Sequence, residues 1–317
     1  MQVHGIHHVT AIAGDPQANL DFYTGVLGLC LVKVTVNYDD PHTYHLYYGD
    51  DGGRPGTILT FFPWPGAPRG RAGTGQVTVT AFAIPDESVG FWVDRLKAHK
   101  VEYAGPSQRF DEEVISLRDP DGLQLELVSG ARVSGATPRR ANAVPATHAI
   151  RRFQGVTLTV EGYERSAGLL TATLGFREAG ARSNRFRYSV GEGEMQSVVD
   201  LLCLPSGPRG RVAVGTVHHI AWRTPDADAQ RAWRATIAGL GYNVTPVIDR
   251  TYFHSLYFRE PGGVLFEIAT DPPGFGVDES AGELGRRLAL PGWLESTRGE
   301  IAKGLPALRG PAGQRFP

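Results

Sequence analysis

The stretch Leu117-Arg118-Asp119-Pro120-Asp121-Gly122-Leu123-Gln124-Leu125-Glu126 returns later in the chain as Phe258-Arg259-Glu260-Pro261-Gly262-Gly263-Val264-Leu265-Phe266-Glu267. Each copy reads as a strand end, a turn built on proline and glycine, and a second strand that alternates towards a glutamate. A second pair keeps nearly the same offset: Pro65-Gly66-Ala67-Pro68-Arg69-Gly70-Arg71 returns as Pro205-Ser206-Gly207-Pro208-Arg209-Gly210-Arg211. Self-similarity at a fixed period marks a duplicated architecture, so the two halves are copies of one plan.

Working outward, each half divides again. One order of signals occurs four times: a short strand, an amphipathic stretch of about a dozen residues, then β-rich runs. The unit is βαβββ. In the first copy, residues 6–13 alternate as a strand, 16–26 carry Leu20, Tyr23 and Leu27 at helical spacing, and Gly28 ends that helix. Helices are expected likewise near 88–99, 165–173 and 226–240. The fold class is α+β: four βαβββ modules, about 3–65 and 75–130 in an N-terminal pair (1–145, linker included) and two more in 146–271. Residues 131–152, rich in Ala, Pro and Arg, read as an exposed linker. A C-terminal tail, 272–317, is expected to form two short helices, 280–290 and 293–303, broken by Pro291.

Composition narrows the function. The chain has 317 residues, with 32 basic and 33 acidic side chains and a net charge of −1, and no basic block that a phosphate backbone would require. Nucleic acid is excluded as an expected partner. The 40 glycines and 22 prolines follow no triplet period and fit many turns between short strands. Cys30 and Cys203 stand far apart with no CxxC spacing, which reads as buried, reduced thiols. No run approaches the roughly 18 apolar residues of a membrane span, and Met1–Gly14 lacks a secretory pattern. A cytoplasmic protein with no membrane partner is the expectation.

The repeat also acts as an internal control on chemistry. At one position of the opening strand the four copies are read as His8, Val79, Leu158 and His219; on the closing strand they are Thr60, Glu126, Asp200 and Glu267. Two copies do without histidine, so the fold does not demand it. Two imidazoles and one carboxylate on rigid strands make the facial triad that holds non-haem Fe(II) and leaves positions open. His8, His219 and Glu267 are the expected metal ligands. Because His8 lies in the first module and the other two in the fourth, those modules must pair around the metal. Modules two and three then form a second cup, with Val79 and Leu158 at the ligand positions and no metal expected; Glu126 and Asp200 read there as polar remnants.

His7-His8-Val9-Thr10, Tyr44-His45-Leu46-Tyr47-Tyr48, Pro55-Gly56-Thr57, His218-His219 and the Gly262–Glu267 run together resemble ring-cleaving dioxygenases of the hydroquinone dioxygenase type. These belong to the vicinal oxygen chelate superfamily, with glyoxalase I and the extradiol dioxygenases. The resemblance covers roughly residues 3–275. It implies four βαβββ modules in two pseudo-symmetric cups, and Fe(II), sometimes Mn(II), on His8, His219 and Glu267. By the same resemblance Tyr257 would hydrogen-bond substrate, and Arg250 would steady anionic intermediates. Neighbours on a strand face opposite ways, so His7 and His218 would lie behind the metal strands or at the pocket wall, with Thr10 on their side or just outside the ligands. His254 stands where related enzymes carry a glutamate.

The implied activity is Fe(II)-dependent opening of a dihydroxylated aromatic ring, hydroquinone-like or catechol-like, with both atoms of O2 inserted. Two alternatives use the same fold. A glyoxalase-type isomerase would need a carboxylate from each paired module, and the first module offers Thr60 there. A metal-free protein that binds aromatic compounds would not need the triad. The expected partners are a small diphenol and O2, and Leu284, Leu288, Trp293 and Leu294 point to a homo-oligomer.

Overall fold

The computed structural model describes residues 1–130, 143–193 and 196–317. The first module consists of β1 (Ile6–Ala13), α1 (Pro16–Leu20) widening into a π-turn over Asp21–Val26, β2 (Cys30–Asn37), β3 (Asp40–Gly49) and β4 (Ile58–Pro63). The second is β5 (Gln76–Ala83), α2 (Val89–Ala98), β6 (Tyr103–Arg109), β7 (Glu112–Arg118) and β8 (Gln124–Ser129). The third is β9 (Arg152–Val160), α3 (Glu164–Gly168), β10 (Arg177–Arg182), β11 (Arg185–Val190) and β12 (Ser197–Cys203). The fourth is β13 (Thr216–Thr224), α4 (Ala227–Gly239), β14 (Ile248–Asp249), β15 (Phe253–Arg259) and β16 (Leu265–Pro273). Helix starts follow capping chemistry: Asp15 and Asp226 accept hydrogen bonds from the Ala18 and Ala229 amides, each at 2.8 Å.

The strands form two curled eight-stranded sheets. One runs β14-β15-β16-β13-β1-β4-β3-β2 and joins modules four and one; the other runs β10-β11-β12-β9-β5-β8-β7-β6 and joins three and two. Each sheet thus takes one module from each half of the chain. The pairing inferred from the ligand positions is the one observed, through the antiparallel β1–β13 and β5–β9 ladders.

The repeated Pro-x-x-Pro-Arg-Gly-Arg segments connect modules within each half, and they cross one another. The Arg71 amide donates to the Arg211 carbonyl at 3.0 Å and the reverse bond is 2.8 Å. A side chain on Gly73 would place its Cβ 2.1 Å from the Pro208 carbonyl, so glycine is required where the two backbones touch. The duplication therefore encodes the joint between the sheets.

Three sequence expectations need correction. The third module's counterpart of His8 is Gly155, not Leu158. Glu267, Glu126 and Thr60 pair with Ala221, Ala81 and Thr10, each two residues beyond His219, Val79 and His8, whereas Asp200 pairs with Thr157. Leu158 points into the apolar core, and Gly155 is needed because a Cβ there would lie 2.2 Å from the Val198 carbonyl.

Secondly, Glu126 and Asp200 are anchors of an ion-pair network in the second cup. Arg109 clamps Glu126 with bonds of 2.8 and 2.6 Å, and Arg187 clamps Asp200 with bonds of 2.8 and 3.0 Å and reaches Glu112 at 2.7 Å. Burial would raise the Asp200 carboxyl, but the arginines hold it below its ordinary value.

Thirdly, residues 280–290 run as turns, not a helix, because Leu288 and Ala289 pair with Val34 on β2. Only the second tail helix forms, as a 3-10 turn over Gly292–Thr297 leading into α5 (Arg298–Gly304). Leu284 and Leu288 are buried in the chain's own cores, so they are not a surface for a second copy; Trp293 is 59% exposed.

Most of the expected linker, 131–142, lies outside the described residues. Its end is packed: Val144 and Ile150 are buried, and His148 stacks on Phe91 with ring centroids 4.4 Å apart. Among the described residues no helix is long and apolar enough to cross a membrane.

Candidate metal centre

His8 comes from β1, His219 from β13 and Glu267 from β16, three neighbouring strands of one sheet. Their ligand atoms all lie within 4.8 Å of one another. The two Nε2 atoms are 3.4 Å apart, and Glu267 Oε2 lies 3.3 Å from His8 and 2.9 Å from His219. All three residues are buried, the glutamate completely.

The carboxylate is held from behind. Ser255 Oγ donates to Glu267 Oε1 at 2.5 Å, while Oε2 has no hydrogen-bond partner of good geometry. A buried carboxylate oxygen left over, facing two imidazole nitrogens, is the donor set of a divalent transition metal. Burial alone would raise the Glu267 carboxyl, but the His8 and His219 rings hold it well below the ordinary range. A metal ligand must be deprotonated, and a lowered carboxyl favours that form.

Bulges account for the doubled histidines. Between Ile6 and His8 the β1–β13 register slips by one residue, and it slips again opposite Val217 and His219, so His7 and His218 are the extra residues. A bulge turns consecutive side chains towards each other instead of to opposite faces. His7 Nδ1 meets His8 Nδ1 at 2.9 Å, and His218 Nδ1 meets His219 Nδ1 at 2.7 Å. Donation from the ligand rings' Nδ1 to these neighbours would leave both Nε2 lone pairs for an ion at the centre. The second cup has matching slips at Thr78 and Gln154, so the bulge belongs to the fold and the histidines to the site.

The expectation that each pair splits across the strand is therefore corrected. His218 lines the cavity, His7 packs on Phe253 with ring centroids 5.0 Å apart, and Thr10 faces the cavity on the side of His8.

A cavity of about 290 Å³ opens above the triad, near the lower end of the ~300–1,000 Å³ common for small-molecule sites. Tyr257 and Arg250 line it, and Arg250 also pairs with Asp39 at 3.1 Å. His254 does not line it; strand alternation turns Ser255 and Tyr257 into the cup and His254 to the other face. His45, Tyr47, Phe62 and Trp64 also line the cavity, and sequence reasoning gave them no role. The available signal was the repeat itself: Tyr47 pairs with Thr60 as Tyr257 pairs with Glu267.

Burial lowers the pKa of His218 from 6.5 to about 3 and lowers those of His7 and His45 well below 6.5. Between pH 6.5 and about 3 the unfolded chain protonates His218 and the folded chain does not. Stability is thus whole above pH 6.5 and is lost as pH falls through that window. Thermal melts of metal-stripped protein should show a Tm that declines steadily below pH 6.5; a flat Tm down to pH 4.5 would contradict the neutral, buried state of these rings.

A family model matches residues 5–127 and 152–268, two stretches that contain all three candidate ligands. The chain belongs to the glyoxalase/bleomycin resistance protein/dioxygenase superfamily. A Bacillus subtilis (strain 168) protein named "Putative ring-cleaving dioxygenase MhqO" is 48% identical over 301 residues, 95% of each chain. The chlorohydroquinone/hydroquinone 1,2-dioxygenase of Sphingobium indicum is 33% identical over 310 residues, 95% of this chain and 96% of that one. A crystal structure described as a putative dioxygenase from Bacillus subtilis subsp. subtilis str. 168 superimposes with a TM-score of 0.93 at 47% identity, covering 97% of this chain and 98% of the other.

Proposed function

We propose that the chain is a metal-dependent dioxygenase that opens the ring of a dihydroxylated aromatic of the hydroquinone class, with Fe(II), or Mn(II) in its place, on His8, His219 and Glu267. The observation that carries this reading is a buried triad of two imidazoles and one carboxylate in a cup whose fourth potential ligand position is filled by Thr60. Three protein ligands leave several positions open, as a diol and dioxygen require. An isomerase of the same fold would take a second acid from the first module, and Thr60 cannot supply it. The relatives' names support the same choice.

When bound, Fe(II) would supply Lewis acidity and one-electron exchange with dioxygen. The side chains around it do the rest. His7 and His218 accept the ligands' Nδ1 protons, which keeps both Nε2 lone pairs available. His218 then carries its own proton at Nε2, so it is a donor at the cavity wall for an oxygen of the bound ring. Arg250, drawn to the rim by Asp39, presents a permanent positive charge to an anionic ring oxygen, and its guanidinium lies 5.8 Å from the centroid of the Tyr257 ring. Phe62, Trp64 and Phe253 supply apolar walls for the ring and exclude water.

The test is anaerobic loading with Fe(II) followed by oxygen-electrode assays on a panel of hydroquinones and catechols, beside an assay for loss of a hemithioacetal. One O2 consumed per ring opened is the expected result. Isomerisation of the thioacetal with no oxygen uptake from any diphenol would overturn the proposal.

A further inference from the structure

The wall opposite the carboxylate ligand carries a built hydrogen-bond chain. Thr60, the pseudo-symmetric counterpart of Glu267, donates from Oγ1 to Thr10 Oγ1 at 3.1 Å. Its lone pairs therefore face His45 Nε2, 2.7 Å away, and that nitrogen must be the one carrying the proton. His45 Nδ1 is then an acceptor, and the Tyr47 hydroxyl, 2.9 Å from it, donates to it. The chain fixes every proton along the wall. Tyr47 Oη is left with lone pairs only, in a cavity that Tyr47, His45 and both ligand histidines line together.

Position separates this group from the metal. In the sheet order β13-β1-β4-β3, His45 and Tyr47 on β3 lie two strands from His8 on β1, about 10 Å across at the usual interstrand spacing. A diol whose first oxygen sits at the triad directs its second towards such a wall. The counterpart pair on the other wall, Ser255 and Tyr257, has its serine committed to Glu267 Oε1. The two walls therefore differ in function although the fold repeats them.

We propose that Tyr47, oriented by His45, accepts a hydrogen bond from the substrate hydroxyl that the metal does not bind, and so selects a free diphenol over its mono-ether. This rests on the diphenol reading above. His45 serves as a positioning residue: it holds the Tyr47 proton so that tyrosine presents an acceptor rather than a donor. Ring contacts keep the pair in place, with His45 tilted against Tyr47 and Phe62 at centroid distances of 4.0 and 4.2 Å.

The experiment is equilibrium binding of hydroquinone and of 4-methoxyphenol to the Fe(II)-loaded protein held anaerobic, followed by fluorescence of Trp64 at the cavity wall. Wild type is expected to prefer hydroquinone about tenfold, the size of one neutral hydrogen bond. In Tyr47→Phe the preference should fall to within about twofold through loss of hydroquinone affinity alone. In His45→Phe it should fall because the ether gains affinity, since the released tyrosine proton can now donate to the methoxy oxygen. A merely structural wall would move both ligands together. A preference unchanged in both variants overturns this inference and leaves the diphenol reading standing; no binding of either phenol by wild type overturns both.

Discussion

His8→Ala, His219→Ala and Glu267→Gln should each lower metal affinity more than about 100-fold and bring turnover down with it. Loss of a group that merely orients a ligand costs roughly 10–100-fold, so loss of a ligand must exceed that. Glu267→Gln is the most telling of the three. It keeps the shape of a fully buried side chain and the hydrogen bond from Ser255, and removes only the charge that faces His8 and His219. Metal titration followed by elemental analysis of the desalted protein reads the loss, and circular dichroism shows that the fold persists. Wild-type affinity in any one variant removes that residue from the centre.

Lys33→Met should lower unfolding free energy by about 3–5 kcal/mol, the cost of breaking a buried ion pair from one side. Lys33 lies on β2, fully buried, between Asp278, at 2.6 Å, and Glu279. Its ammonium stands 4.8 Å from the centroid of Tyr252, whose hydroxyl donates to Asp278 at 2.9 Å. The clamp thus fastens the tail to both the first and the fourth modules. It also backs the substrate wall, because Lys33 lies directly across the β2–β3 ladder from Tyr47. Urea unfolding reads the change. Adding Glu279→Leu to Lys33→Met should recover much of the loss, since the stranded charge goes with it. A single variant within ~1 kcal/mol of wild type would show the clamp to be incidental.

The module plan and the pairing of first with fourth were legible in the chain because duplication leaves the same turn and strand letters in both halves. The convergence of His8, His219 and Glu267 was legible for the same reason: a histidine that two copies omit cannot be a packing requirement. Bulges were not. Nothing in the letters His7-His8 or His218-His219 announces a register slip, since the slip arises where two strands from opposite ends of the chain pair. Strand alternation, applied without that slip, left open whether His7 and His218 lie behind the strands or at the pocket wall, and the structure puts His218 at the wall and His7 against Phe253. Leu158 was misplaced by counting along β9 without its parallel partner β12, which alone fixes Gly155 as the counterpart of His8. The roles inferred for His45 and Tyr47 rest on a hydrogen-bond chain through Thr60 that joins separate strands, and no sequence carries that juxtaposition. Clamp residues Lys33 and Glu279 stand far apart in the chain, and only packing shows that one neutralises the other.

The most direct measurement of the central claim is the metal content of wild-type protein reconstituted with Fe(II) or Mn(II) and freed of excess ion, compared with Glu267→Gln treated identically. One equivalent in wild type and almost none in the variant is the predicted result. No stoichiometric metal in wild type, or a full equivalent retained without the Glu267 carboxylate, would contradict a centre built on His8, His219 and Glu267.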